Sequence, residues 1–491
     1  MQKKAIVIGS GFAGLSAATF MAKAGWQVTV LEKQLMPGGR ACQLKEGGFT
    51  FDMGPSWYWM ADVFDRYFEK FGKKSSDYYS LQRLSPSYRI YWDNEFSDIP
   101  SDYHSFKNLL ESWEPGAEKK LEKFLTEAAY KYRVGIQKLV FKPGLSVTEF
   151  LDWEVMKGVF RLDVFTSIKK HIHKYFKHSY IRKLLEFPAL FLGALPENTP
   201  ALYSLMNYAD IIGGTWYPDG GMYSVVDGMY KLALEKGVHF RFNEAATRIE
   251  LREDTAKKVY SSRAVYEADV VIGGADYHFI ETNLLPDSHK SYSNSYWEKR
   301  LLAPSCLLYY VGLNKKLNNV LHHMLFFDVP FERHAEEIYK SKQWPTEPLF
   351  YVSTSSVTDS NAAPEGCENL VFLIPVSAGL SDDSESIREK YFNLILNRFE
   401  KRIGQSVKES IVYKKSFAYS DFVKDYNSFK GNAYGLANTL MQTAIFKPRC
   451  RSKKVKNLFY TGQLTVPGPG VPPSLISGEV VANEIIKNFG S

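Results

Sequence analysis

Three glycines near the start of the chain have the spacing of a dinucleotide-binding turn. Gly9, Gly11 and Gly14 lie between a short apolar run and a stretch rich in alanine. Gly9 permits a tight turn, Gly11 lets the backbone approach a pyrophosphate, and Gly14 lets a helix pack closely on a strand. The first amides of that helix, which we predict to include those of Phe12 and Ala13, would bind the phosphates.

An acidic residue follows the glycines at the distance that this type of site requires. Residues 26–33 are predicted to form a second strand, and Glu32 lies near its end. A carboxylate in this place can accept hydrogen bonds from the ribose hydroxyls, and we predict that the adjacent Lys33 lies at the same site. Strand, turn, helix, strand and acid in this order predict a βαβ unit of a parallel sheet.

A second group of glycines follows the predicted βαβ unit. The sequence Pro-Gly-Gly-Arg-Ala at residues 37–41 offers backbone amides and one guanidinium to the same diphosphate. The alternative is an ordinary glycine-rich loop that carries a surface arginine. A further segment, Phe-Asp-Met-Gly-Pro-Ser-Trp, ends at residue 57. We predict cofactor contacts from the following residues of these segments: Gly38, Gly39, Arg40, Gly54, Pro55, Ser56 and Trp57.

Taken in order, these motifs resemble the bacterial-type phytoene desaturase family. Its members are FAD-dependent carotenoid desaturases within the wider superfamily of amine oxidases and GDP dissociation inhibitors. The resemblance continues through residues 217–249, 268–276 and 457–486, and so covers essentially the whole chain. It implies FAD as the cofactor. It also implies further cofactor contacts from Ala246, Gly462, Gln463, Val471 and Pro472.

The chain departs from the family pattern at the predicted flavin loop and at the predicted adenine contact. The family usually has valine in the place of Ala246, where a backbone contact would tolerate alanine. It more often has glycine in the places of Pro469 and Pro473. Because proline fixes its own backbone torsion, we expect a stiffer flavin loop in this chain.

The predicted FAD-binding pieces lie far apart in the sequence, so the domain that they form is discontinuous. A chain of 491 residues also exceeds one ordinary core. The predicted fold class is α/β (α+β overall), with a Rossmann-like FAD-binding domain, a mixed-sheet substrate domain and a helical membrane-associating region. The predicted segments are FAD-binding residues 1–85, 216–285 and 451–491, a substrate-domain hairpin at 86–100, a helical membrane and substrate region at 101–215, and a substrate domain at 286–450.

The motifs that the sequence lacks exclude several classes of redox enzyme. A second glycine fingerprint on a strand, turn and helix is missing, so a nicotinamide-binding domain is not expected. The four cysteines form no Cys-x-x-Cys pair, and the net charge of +7 is weak evidence for a nucleic-acid partner. The remaining chemistry is a flavin that the substrate reduces and that an external acceptor, oxygen or a quinone, reoxidises.

The expected substrate is apolar. Aromatic residues make up 15% of the chain and cluster at residues 187–217, which indicates either a large aromatic core or a tunnel for a polyene. The family resemblance implies an acyclic carotenoid that gains C=C bonds by hydride transfer to flavin N5. The favoured reaction is 3,4-desaturation of a 1-hydroxylated end group, whose hydroxyl tyrosines or His322 and His323 could bind.

A desaturase also needs an acceptor for the second hydrogen, which leaves as a proton. Residues 143–152 resemble a family segment that carries an arginine–acid pair near the flavin, and Glu149 matches the acid. The arginine position is Thr148 in this chain. Glu149 is therefore the predicted catalytic residue, with a solvated carboxylate at a helix start as the alternative.

A basic segment at residues 169–183 suggests a membrane surface. Its lysines would contact lipid headgroups while Tyr175 and Phe176 insert shallowly, unless the segment is simply a solvated basic helix. His171 and His173 lack neighbouring ligands in sequence, so no metal is predicted. No apolar stretch is long enough to span a bilayer, and no targeting peptide is visible. We predict a cytoplasmic protein that associates peripherally with the membrane.

Other functions share these signatures. Within the family they are a phytoene desaturase, a carotenoid isomerase and a carotenoid oxygenase. Outside it, an amine oxidase-like flavoprotein acting on another substrate has the same cofactor site. A prenyl-binding carrier of the same superfamily is the non-enzymatic alternative, and it would lack bound flavin.

Overall fold

The structure, a computed structural model, describes residues 2–150, 163 and 165–490. Its strands in chain order are β1 Lys4–Ile8, β2 Gln27–Leu31, β3 Gln43–Glu46, β4 Phe49–Asp52, β5 Leu81–Arg83, β6 Tyr88–Tyr91, β7 Phe96–Ile99, β8 Trp216–Pro218, β9 His239–Arg241, β10 Ala246–Arg252, β11 Thr255–Ser261, β12 Val265–Glu267, β13 Val270–Gly273, β14 Ser305–Leu313, β15 His323–Phe326, β16 Phe350–Ser353, β17 Glu368–Val376, β18 Ile411–Phe417 and β19 Leu458–Tyr460.

The α-helices lie mainly between these strands. In chain order they are α1 Phe12–Lys23, α2 Ala61–Glu69, α3 Tyr103–Trp113, α4 Ala117–Gln137, α5 Ile168–Tyr175, α6 Ser179–Glu186, α7 Leu205–Ile211, α8 Met222–Glu235, α9 Tyr277–Phe279, α10 Asn294–Glu298, α11 Phe331–Glu336, α12 Glu385–Ile403, α13 Tyr419–Tyr426 and α14 Val471–Phe489. Mixed helices and sheets confirm the predicted α/β class.

A five-stranded parallel sheet joins the start, the middle and the end of the chain. Its strand order is β19-β13-β1-β2-β9, and all four pairings are parallel. Ala5 and Val7 of β1 face one core with the helices α1 and α14, whereas Ile6 and Ile8 face another with β10. The sheet is therefore covered on both faces, which explains why β1 is a continuous apolar run.

Two glycines set how closely α1 packs. A Cβ added to Gly14 would collide with the carbonyl oxygen of Gly9, so α1 lies directly on the turn after β1. A Cβ added to Gly478 would collide with the carbonyl oxygen of Ala13, so α14 lies directly on α1. These contacts bring the N-terminal ends of the two helices to the same edge of the parallel sheet.

A second, seven-stranded sheet has the order β18-β14-β17-β16-β15-β6-β7. Its pairings are antiparallel except the parallel pairing of β15 with β6. The hairpin predicted at residues 86–100 forms β6 and β7, and the other five strands of this sheet lie between Ser305 and Phe417. The division of the chain into the six segments named above remains a prediction.

The helices α3 to α7 form a third region beside both sheets. Helix α4 packs against α7, where Gly135 lies close to Leu205. Phe176 and Ile181 are buried in this region, so the expected shallow insertion of Phe176 into lipid is wrong. The hydroxyl of Tyr175 donates to Glu127 instead of facing outward. Among the described residues, none of the helices combines the length and the apolar character needed to cross a bilayer.

Candidate functional site

One large cavity lies between the carboxyl edge of the parallel sheet and the inner face of the seven-stranded sheet. Its volume is about 700 Å³. Every residue that the sequence predicts at the cofactor lines this cavity, apart from Gly14, whose role is the helix packing described above. The fold thus brings together segments more than 400 residues apart in the chain, although their contact with a cofactor remains a prediction.

The N-terminus of α1 supplies amides at one end of the cavity. Gly11 occupies the position before the helix, no described side chain caps it, and the first turn contains no acidic residue. Gly11 also forms a bridge to Gly38, so the two glycine-rich segments lie side by side. A Cβ added to Gly11 would meet only the carbonyl oxygen of Gly38, at 4.0 Å. The space in front of these amides is therefore open, as an anion would require.

The N-terminus of α14 opens onto the same cavity. Gly470 precedes the helix with a φ of 111°, and within the described chain no side chain caps this end either. A positive φ of this size favours glycine, which explains why the residue before Val471 has no side chain. Two helix termini with partial positive charge thus face one enclosed space, which favours a ligand that carries negative charge.

Arg40 adds a full positive charge beside these termini. Its Nη2 donates to Ser428 Oγ at 2.9 Å and to the carbonyl oxygen of Asn432 at 3.1 Å. Its buried Nε has no hydrogen-bond partner among the residues that the structure describes. Burial lowers the pKa of Arg40, and the neighbouring Asp276 opposes this effect. A buried guanidinium with a spare donor fits a dinucleotide diphosphate better than the alternative of a surface arginine.

Glu32 is buried and held rigidly at the cavity wall. Its Oε2 accepts hydrogen bonds from the amide and the hydroxyl of Ser10, at 2.8 and 2.7 Å, and its Oε1 accepts one from the amide of Gln34 at 2.9 Å. The neighbouring Lys33 donates to Asn427 Oδ1 at 3.3 Å. A fixed carboxylate in this place has the geometry expected of a ribose contact. The residues of the cavity therefore fit a dinucleotide such as FAD.

The other half of the cavity is apolar and aromatic. Trp57 lies with its ring centre 5.3 Å from that of Trp59 and 6.2 Å from that of Phe187. The predicted aromatic stretch at residues 187–217 contributes several lining residues, namely Phe187, Leu202, Tyr203, Leu205 and Met206. The seven-stranded sheet contributes Leu308, Leu325, Phe350 and Leu373. Such walls suit a long hydrocarbon ligand.

Three residues predicted to bind the substrate or to act in catalysis lie away from the described lining of the cavity. His322 and His323 are buried behind the wall, so the expectation that they contact a ligand hydroxyl directly is wrong. Glu149 accepts hydrogen bonds from the amides of Gly144, Leu145 and Ser146, at 2.8 to 3.0 Å. The carboxylate of Glu149 is therefore bonded to backbone amides of its own turn, which agrees with the alternative of a carboxylate at a helix start. Its catalytic role remains a prediction that the geometry does not support.

Lys447 is a functional candidate that the sequence does not reveal. It is buried, and its Nζ donates to Asn438 Oδ1 at 2.9 Å. A Cβ added to Gly468 would lie 3.0 Å from both of these atoms, so the pair presses on the turn before α14. Burial lowers the pKa of Lys447 to about 7. Only the tertiary packing buries this lysine, and nothing in its local sequence distinguishes it from a surface residue.

A cluster of acids and one histidine lies outside the cavity. Glu127, Asp163 and His171 have ligand atoms within 4.8 Å of one another. The buried Lys131, however, lies with its Nζ 3.0 Å from Asp163 Oδ2 and 3.5 Å from His171 Nε2. Its ammonium group already supplies the cation that these groups require. The cluster therefore does not indicate a metal site.

The fold and the cavity define a flavin-dependent oxidoreductase. The flavin containing amine oxidoreductase family matches residues 12–486, and the chain belongs to this family. This membership confirms the predicted cofactor, FAD, and the predicted class of enzyme. The alternative of a carrier without flavin is not supported.

Proteins of similar sequence are named as carotenoid desaturases. The chain is 38% identical to the carotenoid 3,4-desaturase of Haloarcula japonica, over 98% of both chains. It is 28% identical to the zeta-carotene-forming phytoene desaturase of Myxococcus xanthus, over 99% of this chain and 94% of that protein. These relatives confirm the family resemblance inferred from the motifs.

Solved structures of low sequence identity share the fold. An oxidoreductase from Methanosarcina mazei matches with a TM-score of 0.64 and 14% identity, over 98% of this chain and 100% of that one. A putrescine oxidase bound to putrescine matches with a TM-score of 0.61 and 15% identity, over 99% of both chains. Both are evidence for the fold alone.

Gly11→Val is expected to abolish FAD retention while leaving the protein folded. The φ of Gly11 is −68°, which any residue adopts, and the added side chain would occupy the open space in front of the α1 amides. The ratio of flavin to protein absorbance measures retention, and the melting temperature of the apoprotein measures folding. Gly11→Ala should retain more flavin than Gly11→Val. Full flavin content in Gly11→Val would contradict the placement of the diphosphate.

Lys447→Met is expected to stabilise the protein by about 2 kcal/mol or more near neutral pH and below. Burial lowers the folded-state pKa of Lys447 to about 7, so the unfolded state binds more protons between pH 7 and 10.5. The free energy of unfolding of the wild type should rise between pH 7 and 10.5. The amount by which the variant exceeds it should become smaller over the same range. Urea unfolding at pH 6, 8 and 10 measures this trend.

The matched control for this experiment is Lys487→Met, at an exposed position on α14. Because Lys487 is solvated in the folded protein, its replacement should change the free energy of unfolding little at each pH. A Lys447→Met variant that is less stable than wild type at pH 6 would show that the ammonium group is not penalised by burial.

Proposed function

We propose that this chain is an FAD-dependent carotenoid desaturase that introduces C=C bonds into an acyclic carotenoid, with oxygen or a quinone as the external electron acceptor. The favoured reaction is 3,4-desaturation of a 1-hydroxylated end group. The single observation that carries the proposal is one continuous cavity with the dinucleotide-binding residues at one end and aromatic and aliphatic walls at the other. The names of the desaturase relatives support the choice of substrate.

In this proposal one end of the cavity binds the cofactor and the other end binds the substrate. The amides that begin α1 and α14, together with Arg40, would bind the diphosphate of FAD, and Glu32 would hold its ribose. The segment from Gly54 to Trp57 and the turn before Val471 would hold the flavin ring. Bound FAD supplies an acceptor for the hydride that leaves a substrate carbon.

The apolar walls orient the polyene and exclude water. Trp57, Trp59 and Phe187 pack against one another on one side, so a substrate placed there loses its contact with solvent. The positive charge that hydride loss leaves on the substrate is spread over its conjugated chain. A strong base is then unnecessary, in agreement with a wall that is largely hydrocarbon.

We further propose that the substrate enters from a bilayer surface through the mouth formed by residues 439–446. Thr443 and Ala444 line the cavity, while Met441 and Phe446 are 66% and 48% exposed. Exposed apolar side chains at the entrance of an apolar cavity suit shallow insertion into lipid. The exposed Arg449 next to them would attract anionic headgroups.

A phytoene desaturase is the second candidate. The phytoene desaturase of Myxococcus xanthus covers 99% of this chain and the 3,4-desaturase of Haloarcula japonica covers 98%, so coverage does not separate the two candidates. Both reactions use the same cofactor and the same apolar cavity, and they differ in whether the end group carries a hydroxyl. The choice between them therefore depends on the substrate and not on the fold.

The holoenzyme is expected to desaturate a 1-hydroxylated acyclic carotenoid in liposomes faster than lycopene or phytoene. Each carotenoid is mixed with the enzyme without oxygen, and flavin bleaching and the product spectrum are followed. A longer conjugated system with matching flavin reduction would support desaturation. Turnover of phytoene alone would favour the second candidate. No flavin reduction by any of the three carotenoids would contradict the proposed function.

Met441→Glu and Phe446→Glu are each expected to weaken liposome binding by about tenfold or more, because each places a charge where an apolar side chain would enter lipid. Co-sedimentation with vesicles that contain anionic lipid measures the binding. Leu35→Glu is the matched control, because Leu35 is 76% exposed but lies beside the dinucleotide end of the cavity. Equal binding of all three variants and wild type would refute this entrance.

A further inference from the structure

Residues 54–57 join the dinucleotide end of the cavity to its apolar half. A Cβ added to Gly54 would lie 2.2 Å from the carbonyl oxygen of Arg40, so the segment begins directly against the arginine at the dinucleotide end. It ends at Trp57, which packs on the aromatic walls of the apolar half. Ser56 and Trp57 both line the cavity and are only half-buried, so a ligand can reach them.

The segment itself belongs to neither a strand nor a helix. It lies between β4, which ends at Asp52, and α2, which begins at Ala61. Side chains in such a connection are not held by the hydrogen bonds of a sheet or a helix. The directions in which Ser56 and Trp57 point therefore depend on contacts with neighbouring side chains.

Tyr351 holds Ser56 from the seven-stranded sheet. Its Oη lies 2.9 Å from Ser56 Oγ and 2.6 Å from His323 Nδ1, and both are hydrogen-bond distances. A phenol hydroxyl donates one hydrogen and also accepts, so this one group can bond to both neighbours. The three side chains thus form a series of hydrogen bonds that begins in the core and ends at the hydroxyl of Ser56 in the cavity.

His323 holds Trp57 by a different contact. The two rings are stacked, with their centres 4.1 Å apart and an angle of 8° between their planes. Burial lowers the pKa of His323 well below its ordinary value, so the imidazole is neutral. A neutral ring can stack on an indole without leaving a charge away from water. One histidine therefore reaches both cavity residues, Trp57 directly and Ser56 through Tyr351.

The strands that carry His323 and Tyr351 lie inside the seven-stranded sheet. Strand β15 pairs with β6 and β16, and β16 pairs with β15 and β17. His323 lies opposite Ser353, and Tyr351 lies opposite Leu325, so both side chains leave the same face of the sheet. Hydrogen bonds along both edges hold each strand, so the two residues give a fixed support to a segment without regular structure.

Packing alone does not require polar side chains at these positions. Leu325, opposite Tyr351, is hydrocarbon and also lines the cavity. His323 leaves its Nε2 buried with no hydrogen-bond partner among the described residues, which is unfavourable. Hydrocarbon side chains in both places would avoid this penalty. The series of hydrogen bonds is explained if its role is to orient the hydroxyl at its end, that of Ser56.

We propose that His323 and Tyr351 are positioning residues, which hold Ser56 and Trp57 at the place where the flavin and the substrate meet. This inference rests on the proposed desaturase function. Ser56 then presents its hydroxyl in a fixed direction to a polar atom of the cofactor, and Trp57 presents a fixed apolar surface to the polyene. Because hydride transfer requires close and aligned partners, a small shift of these two side chains lowers its rate strongly.

The first test measures how tightly the apoprotein binds FAD. Ser56→Ala and Tyr351→Phe should each raise the dissociation constant about fivefold or more, because the first removes the hydroxyl and the second removes its support. The double variant should bind at most about twofold more weakly than the weaker single variant, since both changes act on one hydroxyl. Tyr351→Phe should also show the shift of the flavin absorption maximum that Ser56→Ala shows.

Tyr309→Phe is the matched control. Tyr309 is a buried tyrosine of β14 in the same sheet, and its hydroxyl donates to the carbonyl oxygen of Arg388 at 2.6 Å. Its ring packs on Phe392 of α12, away from the described lining of the cavity. The replacement should change the dissociation constant for FAD by less than about twofold, although it also removes a buried hydrogen bond. Melting temperatures show which variants are folded.

His323→Leu is the second variant on the same series of contacts. It removes both the stacking on Trp57 and the bond to Tyr351, and it leaves the hydroxyl of Tyr351 in place. It should weaken FAD binding and add little to the effect of Ser56→Ala. If Tyr351→Phe does not fold, the comparison of His323→Leu with Ser56→Ala takes its place.

A rate measurement separates this inference from the proposed function. Holoenzymes are mixed without oxygen with a 1-hydroxylated acyclic carotenoid in liposomes, and flavin reduction is followed at saturating carotenoid. Tyr351→Phe and His323→Leu should each slow it about tenfold or more. Non-additive loss of FAD affinity, without flavin reduction by the wild type, would support the positioning role and refute only the proposed function. Additive losses, unchanged FAD affinity in Tyr351→Phe, or an equal loss in Tyr309→Phe would overturn the inference.

Discussion

The close packing of α1 against both β1 and α14 is the constraint on which the rest of the structure depends. Gly14 and Gly478 leave no room for side chains at these contacts, so the two helices begin at the same edge of the parallel sheet. One helix comes from the start of the chain and the other from its end. Their uncapped termini can act on one anion only because the sheet has joined these distant segments. Every later feature of the cavity is arranged around that edge.

From this edge the seven-stranded sheet and the helical region enclose a space with two different halves. Charged groups gather at the dinucleotide end, where Arg40 keeps an unpaired donor and Glu32 is fixed by three hydrogen bonds. Burial strengthens each electrostatic contact there because water is excluded. The other half contains mainly aromatic and aliphatic walls, with a few polar side chains among them. Such walls suit a ligand that is mostly hydrocarbon.

The sequence predicts the first half of this site much better than the second. Glycine spacing and an acid at a fixed distance carry their meaning locally, because the βαβ unit dictates where they lie. Lys447 and Tyr351 carry no such local signal, since only contacts across the fold bury them. The same limit explains the wrong expectation for Phe176: a basic segment with aromatic residues suits a lipid surface, but packing buries the aromatic side. Glu149 matches a family motif, yet its carboxylate already accepts hydrogen bonds from backbone amides of its own turn.

The fold by itself does not decide what the apolar half accepts. A putrescine oxidase has the same architecture although its substrate is a diamine, which is cationic in water. Recognition of a cation needs a carboxylate close to the ligand, whereas the cavity here presents neutral phenols in that half and keeps its acids at the dinucleotide end. In this chain the acids that line the described cavity lie at its dinucleotide end, and the remaining walls are largely hydrocarbon, which suits a neutral ligand.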